Sequence, residues 1–200
     1  MRPKSFDQSE ALNAAMLQFW EAGYETSSMQ RLVDRMGISR QSLYDTYGNK
    51  RELFRAALKR YRNERIEPVI TDILRPEIGA IDALRAFLIS ALEGRTDSPS
   101  GCLLVRTASE CSADDSAVAE LVDRCIGEIR GALRERIERG QQSGELVAGR
   151  AAGEIADELI ALAIGLQIIH RLPNLGRSVR PSIDSLLTTL IPGSRSGACP

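Results

Sequence analysis

A cluster of hydrogen-bonding side chains follows a glycine-containing turn near residue 40 of this 200-residue chain. The turn is Gly37-Ile38-Ser39, and one helical face beyond it carries the polar residues Arg40, Gln41, Ser42, Asp45 and Thr46. In the major groove of DNA, an arginine can form paired hydrogen bonds with guanine and a glutamine with adenine. Taken singly, each of these residues is more often an ordinary solvated side chain. Together they predict a surface that contacts the base edges of duplex DNA.

The segments on either side of this turn have helical spacing. Apolar residues recur at helical intervals before it, namely Met29, Leu32, Val33 and Met36. Gly37 suits the left-handed position past a helix end, and Ser39 suits the cap of a third helix over residues 40–47. The inward residues of that third helix are predicted to be Leu43 and Tyr47. Two short helices joined in this way have the spacing of a helix-turn-helix motif, whose second helix can enter the major groove.

Neighbouring helices are needed to support this motif. Apolar residues spaced three and four apart predict a first helix over about residues 7–22, and Ser27 with Gln30 predicts a capping box for the second helix. Asn49 predicts the cap of a long fourth helix over residues 50–66.

Helical periodicity continues along the rest of the chain. Pro68 is predicted to end the fourth helix. Further helices are predicted over about residues 81–94, 102–111, 114–142, 151–172 and 181–191. No segment has the alternation of apolar and polar residues that is typical of a β-strand. The chain is therefore predicted to be all-α, with residues 193–200 as a disordered tail.

The last two predicted helices have the composition of a subunit interface. The first of them is apolar almost all round and contains small residues that allow close approach, so a single neighbouring helix would not cover it. Two helices from each of two subunits would form a four-helix bundle. The residues predicted to form this homodimer interface are Ile155, Leu159, Ile160, Ala163, Ile183, Leu186, Leu187 and Leu190.

Charged and aromatic residues are distributed unevenly along the chain. Residues 1–66 carry 12 Lys and Arg against 8 Asp and Glu, whereas residues 67–200 carry 14 against 19. Eight of the nine aromatic residues lie at or before Tyr61. An anionic partner is therefore expected to bind the basic N-terminal part.

Other kinds of chemistry have few residues to draw on. His170 is the single histidine, so a catalytic set of a nucleophile and a histidine would have to form around it. The four cysteines have no zinc-site spacing, and no glycine-rich phosphate loop is present. We therefore expect no enzyme activity, no metal and no cofactor. The N-terminus has no apolar signal core, and the longest nearly apolar stretch, residues 159–169, is too short to span a membrane. A cytoplasmic protein without a membrane partner is expected.

The segment SSMQRLVDRMGISRQSLYDTYGNK, residues 27–50, resembles the N-terminal DNA-binding domain of the tetracycline-repressor (TetR) family. The similarity includes the Ala22-Gly23-Tyr24 turn and covers about residues 7–58, while the later helices match only in number and arrangement. The resemblance implies a homodimeric transcriptional regulator, usually a repressor, that binds a palindromic double-stranded DNA operator. It also implies a C-terminal domain that binds a small-molecule effector and thereby releases the operator.

The same resemblance implies which residues contact DNA. They are Thr26, Ser28, Arg40, Gln41, Ser42, Tyr44, Thr46 and Lys50. Arg40, Gln41 and Ser42 would contact bases or groove edges. Tyr44 and Lys50 would bind phosphates on one flank of the motif, and Thr26 and Ser28 would bind phosphates on the other. Asp45 departs from the family pattern, since an acid there would repel phosphate. It would have to accept a hydrogen bond from a cytosine amino group or pair with a neighbouring arginine, and both roles stay open.

The predicted helices and the resemblance together indicate the domain organisation of the chain. Residues 1–49 are predicted to form the helix-turn-helix domain and residues 50–192 the regulatory and dimerisation domain, with the helix over residues 50–66 connecting the two. Apart from Phe87, the interior of the regulatory part is aliphatic, so a lipophilic or weakly polar effector is expected.

Two alternatives to a ligand-responsive repressor remain. The first is a redox or electrophile-sensing repressor of the same fold, in which Cys102 is the sensor because a thiol at a helix start can be stabilised as thiolate. The other interpretation, which the residue type favours, is that Cys102 is a small buried hydrophobic residue. The second alternative is an enzyme or ligand carrier with a vestigial N-terminal domain, which predicts no salt-dependent DNA binding.

Overall fold

The computed structural model of the chain describes residues 6–93, 99, 101–110, 116–169 and 172–193, without the side chains of residues 173–178. The predictions about His170 and about the tail over residues 194–200 concern residues outside these described ranges. Within the described ranges the secondary structure is helical and contains no strand. The predicted all-α class is therefore confirmed.

The α-helices of the described residues follow the predicted order. They are α1 Gln8–Ala22, α2 Met29–Met36, α3 Arg40–Tyr47, α4 Lys50–Tyr61, α5 Ala80–Glu93, α6 Leu103–Glu110, α7 Ser116–Gln142, α8 Ala152–Ile169 and α9 Pro173–Thr188. Two π-helical segments, Arg62–Ile66 and Val69–Leu74, follow α4.

Side-chain caps define where α1 and α3 begin. The Asp7 carboxylate accepts hydrogen bonds from two backbone N–H groups in the first turn of α1. Ser39 caps α3 by accepting from the backbone N–H of Ser42 at 3.0 Å. Gly37, with φ of 65°, occupies the left-handed position between α2 and α3, which a residue with a Cβ adopts only at a cost. These features confirm the predicted turn.

The start of α2 differs from the prediction by one residue. Ser28 is the cap, because its Oγ accepts from the backbone N–H of Arg31 at 3.2 Å. The predicted capping box of Ser27 and Gln30 is wrong. Ser27 is fully buried, and its hydroxyl donates to the carbonyl of Gly23 at 2.6 Å, so it joins the end of α1 to the start of α2 instead.

The fourth helix continues beyond its predicted end. Its start has the expected reciprocal cap between Asn49 and Glu52. The predicted stop at Pro68 is wrong, because helical backbone continues through the two π-helical segments to Leu74. Proline lacks an N–H and clashes with the carbonyl four residues earlier. π turns, in which the hydrogen-bond register changes from four residues to five, lie on both sides of Pro68.

Packing divides the chain into two compact units. As far as they are described, the first contains Met1–Arg65 and Asp97–Arg124, and the second contains Ile66–Thr96 and Cys125–Pro200. The first unit therefore combines α1 to α4 with α6 and the beginning of α7. This division rests on packing alone, so the functional boundary at residue 49 stays a prediction.

An aromatic cluster forms the core of the first unit. The rings of Phe19 and Phe54 meet edge to face at 4.8 Å, and the Tyr24 ring lies 4.8 Å from Phe54 and 6.1 Å from Phe19. Trp20 and Tyr61 form a second edge-to-face pair at 4.9 Å. Such pairs add about 0.5–1.5 kcal/mol to the effect of burial alone. The uneven distribution of aromatic residues in the sequence thus supplies the core of this one unit.

Hydrogen bonds join α6 to the end of α1 within the same unit. The indole Nε1 of Trp20 donates to the carbonyl of Gly101 at 3.1 Å, just before α6. At the other end of α6, the Glu110 carboxylate accepts from the backbone N–H of Tyr24 at 2.9 Å. Arg106, one turn earlier, donates to the same carboxylate at 3.2 Å. Both ends of α6 are thereby tied to the helical bundle that supports the helix-turn-helix.

The second unit is a helical bundle around α5 and α8. α5 packs against α8 and α9, and Arg130 of α7 forms paired hydrogen bonds with Asp157 of α8. The predicted start of α9 at Pro181 is wrong, since the helix begins at Pro173 and contains Pro181 in its interior. Pro173 lies in the first turn, where the missing N–H of proline costs nothing.

Candidate nucleic-acid interface

One side of α3 is open to solvent. Arg40, Gln41 and Asp45 are exposed, and Tyr44 is 42% exposed, which is unusual for a ring of its size. Leu43 is fully buried against the neighbouring helices and anchors α3. The other three predicted α3 positions are partly covered: Ser42, Thr46 and Tyr47.

Two pairs of side chains, each four residues apart, organise this exposed face. The guanidinium carbon of Arg40 lies 5.9 Å from the centre of the Tyr44 ring, within the range of a cation–π contact. Nε2 of Gln41 donates to Oδ1 of Asp45 at 2.7 Å. Side chains at this spacing are neighbours on a helix surface. We refer to these four residues as the α3 face.

The turn before α2 contributes a second polar surface. Thr26 and Ser28 are exposed, as contacts with DNA require. The Thr26 hydroxyl donates to the carbonyl of Ala22, and the Ser28 oxygen accepts from the α2 backbone, which leaves the Ser28 proton available as a donor. Arg31, which the sequence analysis did not single out, is exposed in the same first turn. Its position three residues after the cap would have indicated it, had the cap been assigned to Ser28.

The helix N-termini in this unit differ in their suitability for phosphate. The first turns of α2 and α3 contain no acidic residue, so their N–H groups and partial positive charge are available to an anion. The first turn of α4 contains Glu52, whose carboxylate accepts from the backbone N–H of Asn49 at 3.3 Å. The α2 and α3 N-termini are therefore better sites for a phosphate than the α4 N-terminus.

Lys50 is bound to its own unit in this structure. Its Nζ lies 4.4 Å from the centre of the Tyr24 ring and 3.4 Å from the carbonyl oxygen of Glu25. Burial lowers the pKa of Lys50 below its ordinary value, and the Glu25 charge opposes this change. The side chain is half-buried, so a phosphate would have to approach its remaining exposed surface.

Cys102 lies at the start of α6, where its carbonyl accepts from the backbone N–H of Arg106. Burial raises the pKa of its thiol above the ordinary value. A hydrogen bond from the Tyr61 hydroxyl, at 3.3 Å, and bonds from the backbone N–H groups of Val105 and Leu104 oppose this effect without overcoming it. The thiol therefore favours its neutral form more than an exposed cysteine does.

Most of the residues predicted for the dimer interface are covered within a single chain. Six are buried: Ile155, Leu159, Ala163, Ile183, Leu187 and Leu190. Ile160 is half-buried, and Leu186 is 40% exposed. Other large apolar side chains on or beside α8 and α9 are exposed as well, including Ile168 at 58%. The surface left for a partner is thus the outward side of these helices.

The second unit contains a cavity of about 340 Å³ between the start of α5 and the end of α7. Charged residues line much of it, including Arg136, Arg139, Glu77 and Glu145. Arg136 is buried and donates to the carbonyl of Pro76 at 3.2 Å, while Glu145 accepts from the backbone N–H of Ala80. The lining of this cavity is rich in charged side chains, and the lipophilic or weakly polar effector expected from the sequence stays a prediction.

The part of the chain that the structure describes has neither a membrane-spanning helix nor a cluster of metal-ligating side chains. None of its helices is both long enough and apolar enough to cross a membrane. It also contains no group of three or more histidine, cysteine, aspartate or glutamate side chains that could hold a metal ion.

Two family models match the chain. The model described as "Bacterial regulatory proteins, tetR family" matches residues 11–57, which contain α2 and α3. The model described as "Tetracyclin repressor-like, C-terminal domain" matches residues 80–183, more than half of the chain.

Individual proteins agree with these models. The uncharacterised HTH-type transcriptional regulator YezE of Bacillus subtilis is 33% identical over 148 residues, which cover 72% of this chain and 75% of YezE. The HTH-type transcriptional repressor ComR of Escherichia coli is 28% identical over 172 residues, covering 85% of this chain and 82% of ComR. A solved structure of a cysteine mutant of the regulator CifR, in complex with 26-bp double-strand operator DNA, has a TM-score of 0.84 and 28% identity. It covers 95% of this chain and all of that one.

Proposed function

The chain belongs to the TetR family of bacterial transcriptional regulators, and from that premise we propose that it is a homodimeric repressor released from its operator by a small-molecule effector. As a family member it is a DNA-binding regulator. The proposal concerns the finer points, which are repression, dimerisation, the contacting residues and release by a ligand.

The α3 face carries the proposal for operator recognition. It combines an exposed arginine, glutamine and tyrosine on one side of a helix that Leu43 anchors from behind. Arg40 and Gln41 contact bases, while Tyr44, Ser28 and Thr26 contact phosphates on either side. The CifR complex with operator DNA supports this reading, because that protein is 28% identical and similar in fold over nearly the whole chain. In a dimer, two such helices read half-sites about one helical turn, or a multiple of it, apart.

Exposed apolar side chains on the second unit support the proposed homodimer. Ile168 and Leu186 are more than one third exposed, and Ile160 on α8 is partly exposed. Large apolar side chains that form a contiguous exposed patch are typical of an interaction site. A second copy of the same chain is the partner that gives a closed, two-fold symmetric assembly.

Release by an effector requires two arrangements of the protein. The effector has to bind the arrangement that does not fit DNA more tightly, since equal binding to both would shift nothing. We expect the effector in the second unit and α4 as the coupling element. α4 starts directly after α3 in the chain, and its backbone continues as helix to Leu74.

The alternative of a thiol-based sensor is less favourable. Thiolate, rather than thiol, is the reactive form of cysteine, and burial raises the pKa of the Cys102 thiol. We therefore propose ligand binding, and not oxidation of Cys102, as the signal. Operator affinity measured before and after peroxide treatment, in the wild type and in Cys102→Ser, separates the two. A peroxide-induced loss of affinity that Cys102→Ser abolishes would support the sensor instead.

Selection of bound duplexes from a random pool, followed by binding measurements over a range of salt concentrations, tests the proposed function. The wild type is expected to enrich a palindromic sequence, and the logarithm of its affinity should fall linearly with the logarithm of salt concentration. Arg40→Ala and Gln41→Ala should lose preference at particular base pairs. Lys50→Ala should weaken all sequences to a similar extent and reduce the salt slope by about 1.

A reporter gene behind the selected sequence tests repression. Its transcription should fall when the protein is expressed, and a rise would mean activation. Equal affinity of the wild type for every duplex would overturn sequence-specific regulation altogether, and an absence of salt dependence would favour an enzyme or carrier with a vestigial N-terminal domain.

A further inference from the structure

Asp45 is an unexpected residue at the centre of the α3 face. An exposed carboxylate on a helix that approaches DNA is repelled by the phosphate charges. The sequence left two explanations open, a salt bridge with a neighbouring arginine or a hydrogen bond to a base. In the structure, Oδ1 of Asp45 accepts from Nε2 of Gln41 at 2.7 Å, and the salt bridges observed among the described residues do not include Asp45. The salt-bridge explanation therefore finds no support in the structure.

The hydrogen bond between Gln41 and Asp45 determines what this pair offers to DNA. A glutamine amide has two N–H donors and one carbonyl acceptor, and a carboxylate has acceptors only. One N–H of Gln41 is used by Oδ1 of Asp45. The pair therefore retains the Gln41 carbonyl oxygen, the second carboxylate oxygen of Asp45 and a single N–H. Its outward surface consists mainly of hydrogen-bond acceptors and carries a negative charge.

The four bases differ in how they meet such a surface. In the major groove, adenine presents its N6 amino group and cytosine its N4 amino group as donors. Guanine and thymine present only acceptors at the corresponding places, and these would face the carboxylate without a hydrogen atom between them. Arg40, adjacent in sequence, carries donors only and suits guanine. The α3 face thus juxtaposes one donor-rich and one acceptor-rich position.

We propose that the Gln41–Asp45 pair contacts the exocyclic amino group of an adenine or cytosine in each operator half-site, with Asp45 acting as a specificity-determining residue. This inference rests on the proposed function and deepens it. With adenine, Gln41 reads the base through its carbonyl oxygen and remaining N–H, and Asp45 is a positioning residue that holds the amide. With cytosine, Asp45 itself accepts from the amino group. In both cases the carboxylate disfavours guanine and thymine.

The test uses the full-length protein and the half-site that the wild type selects. Affinities are measured for duplexes with each of the four base pairs at every half-site position, for the wild type, Gln41→Ala, Asp45→Ala and Asp45→Asn. At the position sensitive to Gln41→Ala, the wild type should prefer one base pair by about 5- to 100-fold. Deleting the exocyclic amino group there, by placing purine for adenine or pyrimidin-2-one for cytosine, should lower its affinity to a similar extent. Asp45→Ala should reduce that preference to less than about threefold while leaving the preference at the Arg40-sensitive position unchanged.

Asp45→Asn distinguishes the two amino-bearing bases, because asparagine keeps an acceptor for Gln41 but lacks the charge. Retained preference in Asp45→Asn identifies the adenine case, and a lost preference for cytosine identifies direct contact by the carboxylate. Asp45→Ala should also bind unrelated DNA more tightly than the wild type, since it lacks one negative charge. This binding shows in addition that the variant is folded.

Two results would overturn the inference while leaving the proposed function intact. One is a uniform gain in affinity of Asp45→Ala for all duplexes, with every base preference preserved. Asp45 would then affect DNA binding only through the repulsion of its negative charge and would not determine specificity. The other is an unchanged affinity of the wild type when the exocyclic amino group at the Gln41-sensitive position is deleted. If the wild type shows no base preference at any position, the proposed function fails and the inference fails with it.

Discussion

The absence of a side chain at Gly23 permits both an unusual backbone conformation and a close approach of α6. It follows α1 with φ of 88° and ψ of 171°, a combination that other residues rarely adopt. A Cβ at this position would also overlap the Glu110 carboxylate, which accepts from the backbone N–H of Tyr24. The glycine therefore permits both the turn into α2 and the attachment of α6.

Gly23→Ala is expected to lower the free energy of unfolding by about 1–3 kcal/mol through backbone strain, with a further loss from displacement of Glu110. Urea denaturation measures the change. Gly127→Ala is the matched control, because Gly127 lies within α7 with open space around its missing Cβ. That substitution should stabilise the protein by about 0.5–1 kcal/mol. Equal effects of the two substitutions would contradict the role assigned to Gly23.

A second prediction for a single residue concerns how the alkylation rate of the Cys102 thiol depends on pH. Since burial raises the pKa of its thiol, the rate of alkylation by iodoacetamide should rise with pH at a midpoint above the ordinary value of about 8.5. The measurement uses a variant in which Cys102 is the only cysteine. Tyr61→Phe removes a hydrogen bond that lowers the pKa, so its midpoint should be higher still. A midpoint below the ordinary value would restore the sensor alternative.

At the scale of the helix, the α2 N-terminus offers a way to separate stability from DNA binding. Ser28 caps α2, and no acid lies in the first turn. Ser28→Asp keeps an acceptor for the cap and adds a charge that suits the helix dipole, so stability should be unchanged or slightly higher. The same charge faces the proposed phosphate site, so affinity for all duplexes should fall.

Ser28→Asn is the control for this prediction, because asparagine caps helices as well as aspartate does without the charge. Its DNA affinity should stay within about threefold of the wild type, whereas a single repelled phosphate contact in Ser28→Asp should cost more. Thermal denaturation and binding at two salt concentrations provide the two measurements. Equal DNA affinities for Ser28→Asp and Ser28→Asn would remove the α2 N-terminus from the interface.

The sequence predicted helices well where a local signal exists. Ser39, Asn49 and Gly37 act within their own turn, so spacing alone located the end of α2 and the starts of α3 and α4. The sequence-based prediction was wrong where a residue from another helix determines which side chain caps a helix. Ser27 and Ser28 are both good caps, and only the burial of Ser27 against the end of α1 selects Ser28. The passage of helix through Pro68 was missed because single-residue rules assume the α-helical hydrogen-bond register.

The candidate site divides in the same way. Helical spacing predicted that Leu43 faces inward and Gln41 outward, because those directions follow from the backbone. The pairing of Gln41 with Asp45 was not predicted, because either side chain has other rotamers that the spacing allows. The attachment of α6 to α1 was also beyond the sequence, since its bonds join residues 81 and 86 positions apart.

For the whole molecule, the proposed homodimer predicts a change in mass. Leu186 is 40% exposed, so Leu186→Asp should leave the fold of the single chain intact while burying a charge in the assembled interface. Sedimentation velocity should show dimers for the wild type and monomers for Leu186→Asp. Ile78→Asp is the control, because Ile78 is similarly exposed, at 45%, but lies before α5. If Leu186→Asp remains a dimer, the dimer interface does not include Leu186.

The surroundings of Trp20 have a spectroscopic consequence. The chain has one tryptophan, and its indole is hydrogen-bonded to the Gly101 carbonyl, in contact with Tyr61 and beneath the Arg65 guanidinium at 5.4 Å. If α6 withdraws from α1, that indole loses an acceptor and gains water, and its emission shifts to longer wavelength. The intrinsic fluorescence of unlabelled protein therefore reports on the contact between α6 and α1. Titrating candidate compounds while recording the wavelength of the emission maximum would identify compounds that separate α6 from α1.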